Sequence, residues 1–185
     1  VAAHLAPSAR AELGASRLSS AWSAAVDEVG ALRAVNRRYV VREGGGAQDE
    51  LEALQFAHGR GFLTAHRTPS GITGLVLLIS AVDDSAAAAT AAGYAQDLVT
   101  GRLQPVRARF DAQMTSALPV ELFTAETAAV TAGLRPPATV AGQIVVRRGG
   151  FTVVETYLLF ANGLRRVEVA LEPNGSIAGL YIRPL

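Results

Sequence analysis

The sequence predicts an α+β protein made of two tandem units, each a set of helices packed on a four-stranded antiparallel meander. Three observations carry that prediction. First, the chain repeats itself: residues 54–71, LQFAHGRGFLTAHRTPSG, return as LLFANGLRRVEVALEPNG at 158–175. Sliding by 104 positions matches Leu54, Phe56, Ala57, Gly59, Pro69 and Gly71 with Leu158, Phe160, Ala161, Gly163, Pro173 and Gly175. Composition alone would give about one or two such identities. Second, each copy passes from helical to strand-like periodicity at a glycine. Third, the strand-like runs are separated by short turn signals, which suit antiparallel neighbours.

The repeat extends in both directions. Val40-Val41-Arg42-Glu43-Gly44-Gly45 aligns with Val145-Val146-Arg147-Arg148-Gly149-Gly150 at offset 105, the extra residue being Gly46 in the first copy's turn. Gly74-Leu75 matches Gly179-Leu180, and Gly30 with Leu32-Arg33 resembles Gly133 with Leu134-Arg135. The expected domains are therefore residues 1–82 and 83–185, with Asp83-Asp84-Ser85 as the boundary.

In the first copy, Leu18, Trp22, Ala25 and Val29 form an apolar stripe in a helix predicted over Ala9–Val29, which Gly30 ends. Strands are predicted at 34–42, 50–57, 61–67 and 72–80, separated by GGG, HG and TPSG. In the second copy, Asp83-Asp84-Ser85 offers N-caps for an Ala-rich helix reaching Thr100. Further helices are expected at 103–116 and 120–132, then strands at 138–147, 151–160, 164–171 and 176–183. The first copy has no counterpart of the 84–100 helix. Val1 aligns near Val106, so the expectation is a further helix before the first residue shown. Helices followed by short-looped strands imply helices layered on one sheet face. Two fused copies are expected to pack as a pseudo-two-fold pseudo-dimer, with homo-oligomers open as well.

Composition excludes several chemistries. Half of the residues are apolar, enough for real cores, and the formal net charge is +1. The 17 basic residues, all arginine, are dispersed, unlike the one-sided basic face of a nucleic-acid binder. Without lysine there is no Schiff-base amine and no P-loop lysine. Without cysteine there is no thiol nucleophile, disulfide or Cys-based zinc site. Three scattered histidines give no metal-ligand spacing, and no cofactor motif is present. No apolar run reaches the ~18 residues of a membrane span. The compartment stays open, with the cytoplasm slightly favoured and secretion following if the missing N-terminus held a signal peptide.

Helices followed by a curved four-stranded meander resemble the cystatin-like architecture of the nuclear-transport-factor-two-like and ketosteroid-isomerase-like superfamily. More closely, both copies resemble a bacterial family of uncharacterised domains often found beside α/β-hydrolase modules. Phe110-Asp111, Leu18-Ser-Ser-Ala-Trp22 with Gly30, and Asn174-Gly175-Ser-Ile-Ala-Gly179-Leu180 carry the resemblance. Each copy departs from it: Glu126 stands at the tryptophan position of the second, and the first ends one residue shorter at Ser70-Gly71-Ile-Thr-Gly74-Leu75. The resemblance implies fold and supplies no catalytic residues.

The candidate site residues are Trp22, Phe56, His66, Glu155, Tyr157 and Glu168, all as ligand-binding candidates. His58 aligns with Asn162 and reads as a turn residue. His66 aligns with Ala170, so the fold does not need its imidazole, and the sequence offers it no evident carboxylate partner. Glu155 and Tyr157 share one face of a strand beside Glu168, a pairing that in isomerase-like sites abstracts a proton and holds an oxyanion. The competing expectation puts Glu155 and Glu168 on a solvent face, with Val154, Thr156, Leu158 and Phe160 towards the core. Asp49-Glu50, Arg147-Arg148 and Arg165-Arg166 read as solvated. The first functional expectation is a non-catalytic tandem accessory domain binding a small apolar ligand or a protein or peptide partner. The alternatives are an isomerase-, cyclase- or dehydratase-type enzyme, as in secondary metabolism, and a structural protein that assembles through its sheet faces.

Overall fold

The structure is a computed structural model describing residues 4–42, 44–135 and 138–184. Val1 and the Glu43 of the VVREGG match lie outside the described residues. The chain divides into two compact units between Ala81 and Val82.

The first unit runs α1 (Pro7–Glu12), α2 (Ala15–Val29), β1 (Leu32–Arg42), a glycine turn at Gly44–Gly46, β2 (Gln48–Phe56), β3 (Arg60–Thr68) and β4 (Gly71–Ser80). The second runs α3 (Ser85–Val99), α4 (Leu103–Arg107), α5 (Ala112–Ala117), α6 (Val120–Thr131), β5 (Thr139–Arg148), β6 (Phe151–Phe160), β7 (Gly163–Leu171) and β8 (Ile177–Pro184). Each unit holds one antiparallel sheet with its strands in sequential order. The fold is α+β, in two tandem units.

The registers make the internal repeat a structural one. Glu50 faces Ala65 as Val154 faces Val169, and Glu52 faces Leu63 as Thr156 faces Val167. Arg38 pairs with Glu52 as Gln143 pairs with Thr156. Both third strands slip register at the same place, His66/Arg67 and Ala170/Leu171. Strand β1 has two further irregularities, at Leu32/Ala34 and Val35/Arg37.

Two predicted helices are each split. The one expected over Ala9–Val29 breaks at Leu13–Gly14, and the one expected over 103–116 breaks between Arg107 and Ala112. The second break has a visible cause in the repeat. Phe110 makes a parallel bridge to Ile177, whose N–H donates to Arg109 O at 2.7 Å while Asp111 N donates to Ile177 O at 3.0 Å. These peptide groups bond a strand, so they are withdrawn from a helical ladder. Asp111 then restarts the helix by accepting the Met114 N–H. The first unit repeats the device just before α1: Leu5 bridges Ile72, and Ala6 N donates to Ile72 O at 2.9 Å. Gly14, with extended ψ, redirects the chain between α1 and α2.

The two cores differ in kind. In the second unit, α3 packs on β5, β6 and β7 and buries Ala91, Ala95 and Leu98 with Val145, Val154, Leu158, Phe160, Val167 and Val169. Its N-cap Asp84 accepts the Ala87 N–H at 3.0 Å and pairs with Arg147 at 3.0 Å. Among the described residues of the first unit, Leu5–Ala9–Ile72 and Val29–Leu54–Phe56 form two small apolar groups, and Val41, Leu51 and Phe62 are buried besides. No described helix occupies the place of α3 there. Val40, the counterpart of Val145, is accordingly 45% exposed, against 2% for Val145.

A candidate binding groove in the first unit

The stripe predicted on α2 does form a face, but the helix uses it in two ways. Ala25 and Val29 at its C-terminal end are buried, whereas Trp22 is 40% exposed. Trp22 leans on the buried Phe56, ring centroids 5.9 Å apart and tilted by 46°. Between α2 and the sheet lies an apolar groove of about 380 Å³, lined by Leu18, Trp22, Leu63, Leu75 and Leu77. Its volume lies within the range of small-molecule sites, ~300–1,000 Å³.

Leu63 and Leu75 also line a second, polar recess of about 240 Å³ with Arg38, Glu50, Glu52 and Arg67. The two recesses thus share a wall, and together they pass from an apolar end to a charged end. Glu50 organises the charged end. Its carboxylate accepts from Arg38 at 2.8 Å, Gln48 at 2.7 Å and Arg67 at 3.2 Å. Burial alone would raise its pKa; the hydrogen bonds and charges of Arg38 and then Arg67 outweigh that and hold the carboxyl below its ordinary value. The expected solvation of Asp49 and Glu50 is therefore corrected: both are buried, since β2 carries partnered carboxylates on both of its faces.

The second unit has a smaller counterpart of the apolar groove. About 220 Å³ lies between α6 and β8, lined by Leu118, Phe123, Glu126, Thr127, Leu180 and Ile182. Glu126, which the repeat places at the tryptophan position, lines this smaller groove. Thr127 is buried and donates to Phe123 O at 2.8 Å, and the aromatic lining of this groove comes from Phe123 and Tyr181.

Of the predicted site residues, Trp22 lines the groove and Phe56 supports it from behind. The others lie elsewhere. His66 does have a carboxylate partner, contrary to the sequence reading: its Nδ1 lies 2.8 Å from Oδ1 of the buried Asp49. Seventeen residues separate the two in sequence, but β2–β3 pairing puts them directly opposite. A carboxylate that fixes one imidazole nitrogen leaves the other for acid–base work or for a ligand. Asp49 and His66 alternate with Glu50 and Arg67, so the pair sits on the face opposite the groove.

Glu155, Tyr157 and Glu168 are brought together in the second unit. Glu155 pairs with Glu168 across β6–β7, and its carboxylate lies 3.3 Å from Arg166. The expected solvent face is corrected here too: β6 is buried on both faces from Thr152 to Leu158, with Glu155 at 4% exposure. Burial raises the pKa of Glu155; Arg166 opposes the shift and Glu168 adds to it. Burial, then the Glu155 charge, push the Tyr157 phenol well above its usual value. Arg165 and Arg166, also expected to be solvated, are half-buried, with Arg165 donating to Val130 O at 3.2 Å. None of the three recesses is lined by Glu155, Tyr157, Glu168 or His66.

The groove residues that sequence reasoning missed are Leu63, Leu75 and Leu77, with the Arg38–Glu50–Arg67 cluster. The repeat held a signal for the last of these. Glu50 and Arg67 stand where the other copy has Val154 and Leu171, and charge at a core position of one repeat marks a place where the copies differ in use. No family model matches the chain, and no curated protein matches it. No described helix is long and apolar enough to cross a membrane.

Proposed function

We propose that the protein is a non-catalytic tandem binding module of cystatin-like architecture, and that it takes an apolar guest in the groove of its first unit. One observation carries this reading: an open apolar groove walled by a 40% exposed tryptophan. Exposed aromatic surface in a concave site is the feature that apolar ligands and peptide anchors use. The isomerase-, cyclase- or dehydratase-type alternative has its residues in His66–Asp49 and Glu155–Tyr157. Those pairs supply pKa shifts or orientation, but the groove supplies the space.

Trp22 is the chain's single tryptophan, so the groove has its own reporter. Titration with anilinonaphthalene sulfonate should change Trp22 emission saturably, and Leu77→Asp should weaken the effect at least tenfold while leaving the far-ultraviolet circular dichroism unchanged. Equal binding by the folded Leu77→Asp variant would overturn the assignment of the groove.

A further inference from the structure

The first strand of each copy is an outer edge of its sheet. In the second unit α3 to α6 precede β5, and still no strand pairs with its outer side. A free edge at this position thus belongs to the repeat itself. Every second residue of such an edge turns its N–H and C=O away from the sheet, a row of donors and acceptors that another strand can complete. Of the eleven residues of β1, Val41 alone is buried.

The two edges differ in charge. The registers put Arg37 and Arg38 of β1 where β5 has Gly142 and Gln143, and Arg42 where it has Arg147. The repeat therefore folds without a cation at the first two positions. Arg38 is tied to Glu50 and Glu52. Arg33, Arg37 and Arg42 are exposed, and no described carboxylate pairs with them; Arg37 donates a long bond, 3.4 Å, to the Tyr39 hydroxyl. Strand alternation turns Arg37 and Tyr39 to one face and Arg38, Val40 and Arg42 to the other, so cations flank the edge on both sides. From Arg37 to Arg42 the pairing with β2 runs without irregularity, since both slips lie before that stretch. A strand added along 37–42 meets a regular ladder.

We propose that β1 accepts an acidic, extended segment of a partner polypeptide as an added strand along residues 37–42. Main-chain hydrogen bonds hold the segment, and β1 selects its side chains. Carboxylates stand opposite Arg37 and Arg42, a β-branched apolar residue opposite the exposed Val40, and a neutral polar residue opposite Arg38, whose charge is already matched. In the antiparallel direction the favoured order is Glu-Thr-Val-Thr-Thr-Glu. A nucleic acid could use the arginines but brings no strand to the open peptide groups, so the edge favours a polypeptide. The site goes beyond the groove reading and stands without it.

The probe is the labelled peptide Ser-Glu-Thr-Val-Thr-Thr-Glu-Ser, blocked at both ends, titrated with the full chain and read by fluorescence anisotropy. Saturable binding is expected, weakening as salt rises, with slowed amide exchange at alternate residues of 37–42. Arg37→Gln and Arg42→Gln should each weaken it about two- to fivefold, as for exposed ion pairs. A peptide with lysine in place of both glutamates should not bind. Two further peptides separate strand addition from attraction by charge. One is N-methylated on the residues opposite Arg37, Tyr39 and Val41, the other on those opposite Arg38, Val40 and Arg42. One should lose binding and the other keep it, because a single alternate set aims its N–H groups at β1. Equal binding of both methylated peptides would overturn the proposal, as would no saturable binding of the parent peptide or unchanged affinity in the Arg37→Gln, Arg42→Gln double variant. Tighter binding of a single-stranded oligonucleotide, lost in that double variant, would make the edge a polyanion surface and reject the added strand.

Discussion

Gly59 shows how a single residue ties turn to helix. A methyl group there would overlap the Ser80 carbonyl oxygen and come within 2.8 Å of Val29 Cγ1 at the end of α2. Its counterpart Gly163 meets only the tip of Leu134 at 3.0 Å and Arg165 at 3.5 Å. Gly59→Ala should therefore cost ~1–3 kcal/mol, as overpacking against backbone does, and Gly163→Ala under ~1 kcal/mol, because flexible tips can move. Urea unfolding of the two variants checks this. The neighbouring turn residues serve the same junction: His58 packs against Gly30, and Asn162 bonds Gly133 O and Arg135 N at 2.9 and 2.8 Å. Neither has positive φ; among the described residues only glycines do. Glu155 gives a pH test at the same scale. Its folded pKa is raised, so its contribution to stability is full below the unfolded carboxylate value, about 4.3, and is lost as pH rises through the folded value. Glu155→Gln keeps the neutral shape, and its stability relative to the native chain should rise between about pH 4 and pH 7. A fall over that range would mean that the Arg166 pair outweighs desolvation.

The elements divide into those that close a core and those that leave one open. Leu158 lies fully buried in the core that α3 closes, so Leu158→Ala should cost ~2–5 kcal/mol. Leu77, half-buried on the groove wall, should cost under ~1.5 kcal/mol on the same change, since much of its surface is already wet. Equal losses in chemical denaturation would mean that the groove closes in solution. At this scale the strands were legible in the sequence, because period-2 runs between glycine turns leave little freedom in an antiparallel meander. The helix breaks were not: Leu13–Gly14 and Arg109–Asp111 sit inside good apolar periodicity, and the break at Asp111 depends on backbone hydrogen bonds to a strand far along the chain. The buried Asp49 and Glu50 were hidden for a related reason. A carboxylate reads as solvated until strand pairing shows His66, Arg38 and Arg67 within hydrogen-bond reach.

Across the whole chain, the repeat assigns the same scaffold two different duties. The second copy closes its sheet with α3 and a continuous apolar core, and the first keeps the same register but places Glu50 and Arg67 where closure would need Val154 and Leu171. Installing the second copy's residues, Glu50→Val with Arg67→Leu, should leave stability unchanged or raise it by up to ~2 kcal/mol, since well-packed apolar groups often replace buried ion clusters without loss. The same double variant should bind anilinonaphthalene sulfonate more tightly, and weaker binding would show that the charged end contributes to apolar recognition. A further consequence follows from β1, which forms the edge of its sheet with Val35 and Val40 exposed. A long edge strand with bare valines is a template on which other chains add strands and grow into fibres. The two register irregularities spoil that template, and Arg33, Arg37, Arg38 and Arg42 spread like charge along it. An edge that stays exposed is thereby guarded against adding strands of its own kind.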